Sequence, residues 1–227
     1  MSRRPERPAP TPATHWPGGK PRAPQVPRKA PPGEVRLIGG QWKRSKLPVA
    51  VRAGLRPTPD RVRETLFNWL GQDLNGWRVL DAFAGTGALG FEAASRGAAE
   101  VLLLEQDPAL VASLEASRTR LGASQLTVLR ADALAWLRRC PAERFELILL
   151  DPPFDQPALA LAALAAAVRA LVPGGCVYME SAEALAVPAG LVAWRSLRAG
   201  AVNVQVMQRS TTETAETAET TATIEAP

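Results

Sequence analysis

The sequence predicts an α/β fold: a mostly parallel seven-stranded sheet with an antiparallel C-terminal hairpin, preceded by a small β-hairpin and a helix. Three observations predict it. Short apolar runs such as Val101-Leu102-Leu103-Leu104 alternate with helical patterns, as parallel strands covered on both faces do. A glycine turn, Gly85-Thr86-Gly87-Ala88-Leu89-Gly90, separates the first of these strands from its helix. The last two strand patterns, near 191–198 and 201–208, have no helix between them.

The elements follow in order. Val35–Ile38 and Leu47–Val51 flank a basic loop containing Gly39, Gly40 and Trp42, which reads as a β-hairpin. A helix then starts with Thr58 as N-cap and Pro59 in its first turn. Its apolar residues Val62, Leu66, Trp69 and Leu70 share a face, and Gly71 stops it. From there the pattern gives strand 78–82, helix 87–96, strand 100–105, helix 108–121, strand 126–129, helix 132–139 and strand 145–150. Helix 157–171 and strand 175–180 precede the final hairpin. Asp107, Pro108 and Gly122 punctuate the helix between them as N-cap, first-turn proline and C-terminal glycine.

Composition narrows the chemistry. With 227 residues and 46% hydrophobic content, the chain fits one α/β domain with extensions. Residues 1–33 hold ten prolines and seven Lys/Arg against the single acid Glu6, and read as a disordered tail. Residues 210–227 hold four Glu and no base, a second low-complexity tail. Between them, residues 34–76 form the hairpin-and-helix segment and 77–209 the α/β domain. The lone histidine, His15, sits in the first tail, which removes histidine-based hydrolases and metal sites, and no metal is expected. Cys140 and Cys176 form no CxxC pair and read as small buried hydrophobes in a reducing, cytoplasmic setting. The longest apolar stretch, Ala158 to Val168, is 11 residues, too short to span a bilayer.

Four acids stand at successive strand ends. Asp81 precedes the glycine turn, Glu105 follows Gly85 by 20 residues, and Asp132 follows the next strand. The glycine motif alone fits a dinucleotide, S-adenosylmethionine or plain strand–helix packing. Asp81 shifts the balance, because a carboxylate there repels a pyrophosphate but suits the ammonium group of a methionine moiety. Glu105 is placed to accept ribose hydroxyls and Asp132 to reach an adenine amine. Phe83, Ala84, Gly85, Thr86, Gly87 and Ala133 complete that expected cofactor site. The fourth acid opens Asp151-Pro152-Pro153-Phe154. An aromatic exocyclic amine is a poor nucleophile, and the Asp151 carboxylate with the Pro152 carbonyl can accept its two N–H groups. Pro152 and Pro153 fix the backbone, and Phe154 can stack on a base turned out of its helix. In this expectation the nitrogen attacks an already activated methyl, so an Asp151 of ordinary low pKa is adequate.

Asp-Pro-Pro-Phe after Phe83-Ala84-Gly85-Thr86-Gly87 resembles enzymes that methylate exocyclic amines. Arg36-Leu37-Ile38-Gly39-Gly40-Gln41-Trp42, Gly54-Leu55-Arg56-Pro57-Thr58, Asp60-Arg61-Val62-Arg63-Glu64 and Leu66-Phe67-Asn68 are similar to the bacterial 16S rRNA guanine-N2 methyltransferases of the small ribosomal subunit. The likeness runs from about Glu34 to Arg209. It implies a Rossmann-like class I methyltransferase fold, S-adenosyl-L-methionine as donor, and a guanine of 16S rRNA in the small subunit as acceptor, the enzyme itself being a monomer. An adenine-N6 methyltransferase acting on RNA or DNA is the alternative that the same catalytic motif allows.

The resemblance also implies that the basic N-terminal segment contacts RNA. From Glu34 to Glu64 there are eight Lys/Arg against three acids. The expected contacts are Arg36, Gly40, Trp42, Lys43, Arg44 and Lys46 of the hairpin, with Arg56, Thr58 and Arg61 beyond it. Trp69, Trp77, Trp136 and Trp194 are read as core or edge residues, whereas the basic neighbours of Trp42 mark it for RNA stacking.

Overall fold

The structure is a computed structural model that describes residues 33–50 and 58–211. The expected tails up to residue 32 and beyond 211, and Arg56, lie outside the described residues. In chain order the elements are β1 (Gly33–Arg36), β2 (Lys46–Val49), α1 (Asp60–Trp69), β3 (Arg78–Asp81), α2 (Ala88–Ser95), β4 (Glu100–Glu105) and α3 (Pro108–Leu121). They continue as β5 (Leu126–Arg130), α4 (Ala133–Arg139), β6 (Phe145–Leu150), α5 (Pro157–Ala170), β7 (Leu171–Ser181), β8 (Leu191–Ala199) and β9 (Val202–Arg209). The main sheet has the order β5-β4-β3-β6-β7-β9-β8, parallel from β5 to β7 and antiparallel at β9 and β8. Among the described residues no helix is long and apolar enough to cross a membrane.

Side-chain alternation along the strands builds two cores, one on each face. Val79, Leu103, Leu147, Leu149 and Tyr178 point to the face packed by the hairpin, α1 and α2, through Leu37, Leu47, Leu66, Phe67 and Phe91. Leu80, Leu104, Ile148, Leu150 and Met179 point to the face packed by α4 and α5. Burying both faces is what makes these strands read as unbroken apolar runs. Both cysteines are buried, and Trp69, Trp77, Trp136 and Trp194 are half-buried against the two cores, as their sequence contexts predict.

Four local expectations need correction. The hairpin lies earlier than predicted, because Ile38 and Gly39 leave the ladder and donate their N–H groups to Glu92 Oε2 and Oε1, each at 2.8 Å. Thr58 does not cap α1; Pro59 takes that place without a side-chain bond, and Thr58 is buried with its hydroxyl turned toward β7. Strand β7 starts at Leu171, not near 175, since Leu171 already pairs with Phe145 and a register shift absorbs the Pro-Gly-Gly that follows. Trp42 is half-buried against the first core, and its backbone N–H donates to Ser95 Oγ at 2.9 Å. Its basic neighbours project outward while the indole packs inward.

Candidate active site

The sheet reverses direction of growth between β3 and β6, and ligands of open α/β sheets bind beyond the strand ends at such a point. Asp81 ends β3 on one side of this crevice, and Asp151 follows β6 on the other. The strand order therefore arranges the four predicted acids in the spatial sequence Asp132, Glu105, Asp81, Asp151.

Asp81 is buried and accepts a hydrogen bond from Gly90 N at 3.0 Å. A Cβ on Gly90 would lie 2.2 Å from the Leu103 side chain and 3.0 Å from Asp81, so only glycine lets α2 pack this close. Gly87 takes a φ of +77° and starts α2 in the left-handed region. Glu105 Oε2 accepts from Gly85 N at 2.9 Å, while its Oε1 accepts from Gln106 N and Asp107 N at 2.7 and 2.9 Å. This carboxylate thus ties the glycine turn to the end of β4, and three accepted bonds leave Oε2 room for one further donor. Asp132 Oδ1 caps α4 by accepting from Ala135 N at 2.6 Å, and Oδ2 accepts from Gln106 Nε2 at 2.8 Å. Ala84 and Ala133 are buried, Thr86 nearly so, and Phe83 is half-buried against the second core.

On the other side of the crevice, Pro152 is buried, Pro153 is exposed, and Phe154 is 45% exposed, an aromatic ring open to a stacking partner. Gln156 N donates to the Pro153 carbonyl at 3.0 Å and closes the turn. No described residue donates a hydrogen bond to the Asp151 carboxylate or to the Pro152 carbonyl. Two adjacent acceptors without protein donors are an arrangement suited to an amine with two N–H groups.

The electrostatics differ from the sequence expectation. Burial pushes Asp81 up to about 7, against the hydrogen bond from Gly90, with the charges of Glu105 and Glu180 adding to the rise. Asp151 does not keep an ordinary low pKa. Burial raises it well above the carboxylate range, and the charges of Glu180 and Asp81 raise it further. Sequence reading overlooked Glu180, the fifth acid at this edge. It is buried on β7, its Oε1 accepting from Thr58 Oγ1 at 2.6 Å and from the Tyr178 hydroxyl at 2.7 Å. A lone acid closing an otherwise apolar strand was its available signal.

The predicted RNA contacts divide. Arg36, Lys43, Arg44 and Arg61 line one groove of about 450 Å³ between the hairpin loop and α1, together with the acids Asp60 and Glu64. Lys46 pairs with Glu34 at 2.7 Å. Gly40, with a φ of +70°, is a packing glycine: a Cβ there would lie 1.8 Å from Ser95 O. Thr58 is enclosed beside Glu180 and is not part of the outer basic surface. Arg63, also overlooked, is fully buried in α1. It donates to the Thr58 and Arg36 carbonyls and to Asp60, and lies 3.5 Å from Glu92.

Comparison with known proteins bears on this geometry. The family described as Conserved hypothetical protein 95 matches residues 35–208. The Ribosomal RNA small subunit methyltransferase D of Escherichia coli (strain K12) is 46% identical over 122 residues, 54% of this chain and 61% of that relative. Its namesake from Haemophilus influenzae is 46% identical over 125 residues, 54% of this chain and 65% of the relative. The chain thus spans about three-fifths of these curated relatives' length. A solved structure of the Escherichia coli protein yhhF, which carries a provisional methyltransferase assignment, is 39% identical, with a TM-score of 0.71 over 78% of this chain and 99% of the other. A solved Thermus thermophilus TrmN is 26% identical, with a TM-score of 0.58 over 71% of this chain and 51% of the other.

Proposed function

Because the chain belongs to the family described as Conserved hypothetical protein 95, we propose that it transfers a methyl group from S-adenosyl-L-methionine to the exocyclic N2 amine of a guanine in 16S rRNA of the small ribosomal subunit. One observation carries the reading: Asp151 and the Pro152 carbonyl stand at the switch point as acceptors with no donor among the described residues, across from a buried Asp81. The named activities of the relatives from Escherichia coli and Haemophilus influenzae point the same way.

The residues fit the donor. Asp81 is a buried carboxylate with Glu105 and Glu180 as charged neighbours, which suits an ammonium group and not a pyrophosphate. Glu105, with one acceptor site left on Oε2, is assigned to the ribose, and Asp132 stands at the next strand end for an adenine amine, with Ala133 starting the helix beside it. Phe83, Ala84, Gly85, Thr86 and Gly87 form the turn between them. When bound, this donor supplies a methyl group already activated on a sulfonium sulfur.

Everything else falls to the chain. Asp151 and Pro152 O take the two amine N–H groups, turning the nitrogen's lone pair toward the methyl. Pro153 stiffens the turn, and Phe154 stacks on the extruded base. Arg36, Lys43, Arg44 and Arg61 hold phosphates in the groove beside α1, with Lys46 and Arg56 extending the footprint. In this assignment residues 34–76 dock the RNA and 77–209 carry out the transfer. The test is incubation with methyl-labelled S-adenosylmethionine and purified small subunits, followed by nucleoside analysis. N2-methylguanosine is expected. Label on adenine would refute the substrate, and absence of label would refute the activity.

A further inference from the structure

We propose that Glu180 is a positioning residue for the methyl transfer: held by Thr58 and Tyr178, it forms with Asp151 a carboxyl pair that shares one proton, and it receives the proton that Asp151 gives up as the amine loses its own. The inference rests on the reading of Asp151 as the amine acceptor.

The placement comes from the sheet. Leu150 on β6 is level with Met179 on β7, so the next step along both strands brings Asp151 level with Glu180. Neighbouring strands run about 4.8 Å apart. Leu150 and Met179 face the second core, so by alternation Asp151 and Glu180 both face the opposite side, with Leu149 and Tyr178. Two carboxyls so placed, Glu180 buried and Asp151 half-buried, cannot both ionise freely.

The surroundings decide where the proton sits. Glu180 Oε1 accepts two hydroxyl hydrogen bonds, from Thr58 and Tyr178, which favour its charged form. Asp151 receives no such bond from a described residue. Asp81 on β3 adds a third acid to the same edge. From β9, level with Glu180, comes only the uncharged Val204. The nearby cation, Arg63 on α1, already contacts Thr58 O, Arg36 O, Asp60 and Glu92. The shared proton therefore rests on Asp151 and the charge on Glu180, in keeping with the strong upward displacement of Asp151.

The step balances. The amine nitrogen's lone pair forms the N–C bond while the C–S bond breaks and its electrons stay on sulfur. The nitrogen, now cationic, passes one proton to the unprotonated oxygen of Asp151, and Asp151 passes its own proton to Glu180 Oε2. The positive charge on sulfur and the negative charge on Glu180 disappear together.

The experiment is a carboxyl ¹³C NMR titration of the full-length, ligand-free protein with labelled aspartate, the Asp151 signal being identified by its loss in Asp151→Asn. In the wild type, Asp151 should titrate well above the ordinary aspartate value. Glu180→Gln keeps an oxygen for Thr58 and Tyr178 but removes the charge, so the Asp151 midpoint should fall by about one to two pH units. Thr58→Val, which removes one donor, should move it the same way by less, and serves if the Gln variant does not fold. Single-turnover transfer should slow in Glu180→Gln, with its pH profile displaced alongside the titration. An Asp151 midpoint that stays put overturns the pair. A displaced midpoint with wild-type rates at every pH overturns the relay. Since the titration needs no RNA, a product methylated on adenine would refute the guanine reading and leave the pair standing.

Discussion

The acidic rim of the sheet and the basic segment in front of it hold their buried charges in opposite ways. At the rim, Asp81, Asp151 and Glu180 lie side by side with no cation bound to any of them among the described residues, and burial displaces all three upward. Where α2 meets the N-terminal segment, the buried charges are paired with one another. Glu92, fully enclosed, accepts from Arg96 at 2.9 Å, lies 3.5 Å from Arg63, and takes the Ile38 and Gly39 N–H groups. The bases of the groove, by contrast, are exposed to solvent. A buried charge left without an opposite charge is an invitation to a ligand, whereas one paired inside the fold is a rivet.

The largest way to break this contrast is to remove the rivet. Glu92→Ala leaves Arg63 and Arg96 buried without their shared carboxylate and should cost about 3–5 kcal/mol in denaturant unfolding. Wild-type stability in that variant would mean the network is ornamental. Next comes Gly40→Ala, which meets both the left-handed backbone and Ser95 O. It should lose about 1–3 kcal/mol and increase amide exchange at Gln41 and Trp42, and undiminished protection there would contradict the docking.

The rim should show itself in pH. Asp81 titrates at about 7 in the fold against 3.8 ordinarily, so the fold favours its protonated form. Its stabilising contribution is full below the ordinary value and is lost as pH rises through 7. Free protein should therefore weaken from about pH 4 to 7 by up to roughly 1.4 kcal/mol per pH unit from this group. Asp81→Asn should flatten that slope, and an unchanged slope would contradict the burial. The smallest effect on the fold belongs to the open bases. Lys43→Ala and Arg61→Ala should leave stability within about 0.5 kcal/mol while each lowers the salt slope of single-strand RNA binding by about 0.7. An unchanged slope would place the footprint elsewhere.

Except for Glu180, the rim was legible in the sequence because its signals are local. A glycine turn after an apolar strand, or an acid before Pro-Pro, marks a strand end by neighbouring residues alone. The matched charges were not legible in the same way. Arg63 sits among other bases in sequence, and only the approach of α2 across the fold shows that it is enclosed. Glu92 did carry a signal, as the single charge in Ala88–Ser95, a helix buried all round. Thr58 before Pro59 looks like a helix cap, and its partner Glu180 lies 122 residues away, beyond any local pattern. Trp42 misled for a related reason: basic neighbours describe the surface of a loop and say nothing of which side chain turns under it.

The central claim is that Asp151 orients the acceptor amine without holding the methyl donor. Single-turnover methyl transfer to small subunits by wild type and Asp151→Ala, paired with calorimetric binding of S-adenosylmethionine, tests it most directly. Loss of one preorganised polar group should slow the transfer by about 10²–10³-fold while donor affinity stays near that of the wild type. A transfer rate close to wild type in Asp151→Ala would contradict the account.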